Sequence, residues 1–76
     1  MNRKEEKNRK FRELAEKRVT RVLEDLRILS NLSNTSLYSY SDTEVHKIFS
    51  AIDGATRVSK AAFQRGQREK KREFKL

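Results

Sequence analysis

An all-α fold, an antiparallel two-helix hairpin forming a short coiled coil, is predicted by three features of this 76-residue sequence. Its apolar residues run as mirror images about a central polar stretch. Proline is absent and there are only two glycines, so the usual helix breakers are missing. A helix-start signature stands directly after the central stretch.

That stretch is Ser30 to Ser41, SNLSNTSLYSYS. Going backward from it, Leu29, Leu26, Val22, Val19, Ala15 and Phe11 are spaced 3, 4, 3, 4, 4. Going forward, Val45, Ile48, Ile52, Ala55, Ser59 and Phe63 repeat the same spacing, and the position numbers of each opposed pair add up to 74. A 3-4 rhythm places side chains on one helix face. Two such stripes related by reversal describe a chain that folds back on itself.

The first helix is expected over residues 11–29. Its other face carries Glu13, Glu16, Lys17, Arg18, Arg21, Glu24, Asp25 and Arg27, and Glu13 and Lys17 stand at the favourable i, i+4 spacing. Residues 30–41 form the loop. Ser30, Asn31, Ser33 and Asn34 are an exit signal, because Asn tolerates the left-handed conformation that ends many helices. Leu32, Leu37, Tyr38 and Tyr40 make this more than a polar linker, so the loop is expected to fold over the open end of the hairpin. The second helix is expected over residues 42–65. Ser41-Asp42-Thr43-Glu44 reads as a capping box. Its stripe continues in register past Gly54, which argues one continuous helix, with Gly66 as the terminus. The domain plan is a basic N-terminal arm (1–10) that either extends the first helix or frays, a helical hairpin (11–66) and a basic C-terminal tail (67–76) that either continues as exposed helix or is disordered.

Charge is segregated. The formal net charge is +8. The N-terminal ten residues hold Arg3, Lys4, Lys7, Arg9 and Lys10 against Glu5 and Glu6. Residues 60–76 hold Lys60, Arg65, Arg68, Lys70, Lys71, Arg72 and Lys75 against Glu69 and Glu73, while residues 11–59 are balanced. A hairpin brings both basic ends to the side away from the loop. Arg3, Lys4, Lys7, Arg9, Lys10, Arg65, Arg68, Lys70, Lys71, Arg72 and Lys75 then form one cluster suited to phosphate backbones. No RNP-type aromatic motif, GXXG loop or zinc-finger spacing accompanies it, and the connection is too long for a helix-turn-helix. Contact with nucleic acid, DNA or RNA, through the backbone is therefore expected rather than base readout.

Two helices leave apolar surface uncovered. Leu14, Leu23, Phe49 and Val58 lie off the pairing stripe, and with Tyr38 and Tyr40 they are the candidate partner or dimer interface. A homodimer packed as a four-helix bundle covers such faces. The alternative is an interaction module, an adaptor or small inhibitor of a larger nucleoprotein, working through the Leu23/Phe49 face and the Tyr loop. A third reading is a purely structural assembly unit.

Other classes are disfavoured. The acids are scattered on helical faces beside Lys or Arg, which gives no positioned acid–base pair, and His46 reads as a boundary residue. No catalytic residue, cofactor or metal site is expected, since there is one His and no Cys. No apolar run approaches the ~20 residues of a membrane span, and the charged beginning does not read as a secretory signal. A cytoplasmic setting is expected. Phe11-Arg12-Glu13-Leu14-Ala15-Glu16-Lys17-Arg18-Val19, Ser30-Asn31-Leu32-Ser33-Asn34, and Tyr38-Ser39-Tyr40-Ser41 with Val45 and Ile48-Phe49 resemble a group of small uncharacterised bacterial and mobile-element proteins. The resemblance covers about residues 11–63. It implies the hairpin and a prokaryotic or phage setting, and it transfers no site residues.

Overall fold

The computed structural model describes residues 2–71, with side-chain surroundings for residues 2–68. All regular structure among them is helical: α1 spans Arg3–Ser30, a short 3-10 turn spans Asn31–Ser33, and α2 spans Asp42–Lys71. The chain divides into two units, Met1–Ser39 and Tyr40–Leu76.

In the first unit, α1 is 28 residues long, or about 42 Å. It starts at Arg3, so residues 3–10 extend the helix outward, the first of the two readings open to them. Asn2 explains the start. Its backbone is extended (φ −82°, ψ 125°) and its Oδ1 accepts the Lys4 N–H at 3.0 Å. Its carbonyl accepts the N–H groups of Glu5 at 3.1 Å and Glu6 at 3.2 Å. Glu5 and Glu6 also place carboxylates in the first turn, where the helix dipole favours them.

The exit falls in the expected Ser30–Asn34 signal but does not use the left-handed conformation that Asn tolerates. No described non-glycine residue has a positive φ. Asn31 stays right-handed at φ −63°, ψ −23°, and its N–H reaches the carbonyls of Ile28 and Leu29. The helix thus tightens into the 3-10 turn instead of reversing, which satisfies terminal carbonyls without left-handed strain. The break comes at Asn34, with ψ at 104°. Its Oδ1 accepts the Ser36 N–H at 3.0 Å, and its carbonyl accepts those of Leu37 at 3.2 Å and Tyr38 at 3.0 Å. An Asn side chain that imitates a turn is what stops the chain here. The loop side chains are not packed away as expected. Leu37 is 72% exposed, and Leu32, Tyr38 and Tyr40 are also open.

In the second unit, α2 is 30 residues long, about 45 Å. The capping box forms as the sequence predicts. The Glu44 N–H donates to Ser41 Oγ at 3.1 Å, and the Ser41 N–H donates to Glu44 Oε1 at 2.9 Å. The helix passes through Gly54, as expected, and also through Gly66, where an end was expected. One glycine costs about 1 kcal/mol in a helix. Flanking Arg65, Gln67, Arg68, Glu69 and Lys70 are good helix formers, and propagation adds a hydrogen bond per residue.

Among the described residues no side chain is buried. Those less open than the rest are Ala15, Leu26, Leu29, Val45 and Ile52 on the mirrored stripe, with Gly54 and Ala61 off it. The described ion pair is Arg27–Glu24, not Glu13–Lys17. Arg27 Nη2 lies 2.6 Å from Glu24 Oε1, and Arg27 Nε lies 3.0 Å from Oε2.

Candidate nucleic-acid interface

Arg3, Lys4, Lys7, Arg9 and Lys10 occupy the opening turns of α1, and every one is exposed. Their placement on a helix fixes the directions in which they project. At about 100° per residue, Arg3, Lys7 and Lys10 share one face, while Lys4 lies toward the apolar stripe and Arg9 away from it. The N-terminal candidates therefore surround the helix instead of forming one patch. Arg9 and Lys4 join Arg12, Asn2, Glu5 and Asn8 around a shallow concavity of about 450 Å³. Three cations face one carboxylate there, which leaves it net positive. Arg12 was not among the expected residues, although its i, i+3 relation to Arg9 is legible in the sequence.

Arg65 and Arg68 are exposed on the last turns of α2. Lys70 and Lys71 belong to the same helix, their side chains lying outside the described surroundings. Arg72 and Lys75 lie outside the described residues.

Arg27 holds Glu24 in a two-pronged contact, which lowers the Glu24 pKa and raises that of Arg27. Among the described residues no other ion pair closes. His46 Nε2 lies 3.4 Å from Ser50 Oγ, one turn on, with both residues exposed. The polar side chains of Thr20, Ser30 and Thr56 donate to carbonyls one turn back.

The expected interface residues are open as well. Val58 is 70% exposed, Leu23 61%, and Phe49 and Tyr38 47% each, while Tyr40 and Leu14 are less open. No helix among the described residues is long and apolar enough to cross a membrane. Set against protein-family models, curated proteins and solved structures, the chain matches none, so the resemblance to bacterial and mobile-element proteins gains no support there.

Proposed function

We propose that α1 and α2 pair as an antiparallel hairpin, that two copies complete a four-helix bundle, and that its basic ends bind the phosphate backbone of nucleic acid without catalysis. One observation carries this reading. Helix α1 starts at Arg3, and α2 is helical through Lys71, the last described residue. Both helices therefore carry basic residues beyond the last apolar position of their stripes, Arg3 to Lys10 in α1 and Arg65 to Lys71 in α2. Pairing along the stripe then sets the two basic ends side by side on rigid helices, which concentrates positive potential. A regulatory or accessory role on DNA or RNA in the cytoplasm fits such a surface.

The experiment is a titration of the full chain with a fluorescent 20-base-pair duplex across a salt series. Affinity should fall steeply with salt, by about 0.9 in logarithmic slope per phosphate contact. Replacing Lys4, Lys7, Lys10, Lys70 and Lys71 with Gln should reduce both affinity and slope. A wild-type chain that binds no duplex at low salt would sink the reading.

A second reading has its own support in the exposure of Leu23, Phe49 and Val58. In it the chain is an interaction module that seats this surface on a protein of a larger nucleoprotein complex. Phe49→Ala or Tyr38→Ala should then break a pull-down that survives neutralisation of the helix ends.

A further inference from the structure

The most uniform charge in the molecule lies away from the ends. From Gly54 to Arg68 there is no acidic residue, while Arg57, Lys60, Arg65 and Arg68 are basic. The whole segment lies within α2. At about 100° per residue, Arg57, Lys60, Gln64 and Arg68 fall within a sector of about 80°. That sector is centred roughly 135° around the helix from the mean direction of the stripe Val45, Ile48, Ile52, Ala55, Ser59 and Phe63. All four residues are exposed, and the row runs about 16 Å. Among the described residues no carboxylate closes on Arg57, Lys60 or Arg68. Asp53 does not do so either, although it stands one turn before Arg57.

We infer that this outer face of α2 is itself a binding surface for the phosphodiester backbone of duplex nucleic acid. The inference rests on the nucleic-acid reading above and relocates its centre, since Arg57 and Lys60 lie inside the helix and outside the end cluster. Three arguments select the ligand. A straight row of cations without intervening acids complements a continuous polyanion, and Arg meets phosphate with two parallel hydrogen bonds. No aromatic residue interleaves the row, so the stacking platform that single strands use is missing from this face. Nor does a large apolar side chain lie within it, whereas a helix bound at a lipid surface inserts an apolar face beside its cations. Gln64 adds a neutral donor, and Ala61 beside the row allows close approach. Pairing through the opposite stripe leaves this face open.

The test uses the full chain, DNA and RNA duplexes, a single strand of equal length and polyglutamate. Arg57→Gln/Lys60→Gln should weaken duplex binding roughly tenfold and reduce the salt slope by about 1.8, two contacts at about 0.9 each. Circular dichroism should show unchanged helicity. In the wild-type chain, bound duplex should protect Lys60 from acetylation, as read by mass spectrometry. Unchanged affinity and slope in the double variant, with binding lost on neutralising the helix ends, would overturn the inference and leave the end-cluster reading standing. Loss in the double variant with the end-neutralised chain still binding supports the inference against the end cluster. A wild-type chain that ignores duplex overturns both. Equal binding of single strand or polyglutamate overturns the choice of ligand.

Discussion

Ser41 and Glu44 show how much a single pair of side chains decides. Their two reciprocal hydrogen bonds, at 3.1 Å and 2.9 Å, satisfy backbone donors at the start of α2. Ser41→Ala should therefore cost about 1 kcal/mol, read from the urea midpoint of the helical signal. An unchanged midpoint would mean that water replaces the cap without loss. This contact was legible in four consecutive letters, because the capping box is local and its spacing is its geometry. Asn2 and Asn34 were less legible. Each acts through the same Asn-to-backbone contact, but Asn8 and Asn31 are equally suited by type and do not use it in this way. What separates them is backbone conformation, extended at Asn2 and Asn34 and helical at Asn31.

The helices are longer than their apolar stripes. Residues 3–10 and 66–71 carry no large apolar side chain, so periodicity is silent there and weaker effects decide. Caps, first-turn acids and the good propensity of Lys, Arg, Gln and Glu each contribute fractions of a kcal/mol, and their sum carries both helices outward. Gly66 is the weakest point in that sum. A Cβ built there meets nothing within 4 Å. Gly66→Ala should therefore raise helicity and stabilise the chain by about 0.5–1 kcal/mol. The same substitution at Gly54, whose Cβ is also unopposed, should act alike. Destabilisation at Gly54 alone would reveal a neighbouring surface in close approach.

For the molecule as a whole, the decisive fact is that no described side chain is buried. Helices of this length held only by local interactions are marginal in water, because most helix stability in proteins comes from packing an apolar face. The proposed bundle of two copies would supply that packing. Scattering should then give twice the 9.0 kDa chain mass, and the apparent melting temperature should rise with protein concentration. Leu23→Ala/Phe49→Ala should lower both the mass and the concentration dependence. A 9.0 kDa particle whose melting ignores concentration would exclude self-association. The charge pattern belongs to this scale too. The acid-free run from Gly54 to Arg68 could be read from the letters, but its meaning as a row depends on one helix continuing through Gly66.

The sequence by itself determined two helices, their mirrored apolar stripes, the break between Ser30 and Ser41, and the cap at Ser41. These follow from period and local spacing, which every residue reports through its own type. Only the three-dimensional structure decided where α1 begins, that α2 continues past Gly66, how the chain leaves α1, and that the loop side chains stay open. Those outcomes turn on small competing terms at helix ends and on backbone dihedrals, and neither leaves an apolar rhythm in the sequence. The basic residues illustrate the division. Their number was plain from composition, while their directions were set only once the helix carrying them was known to be continuous.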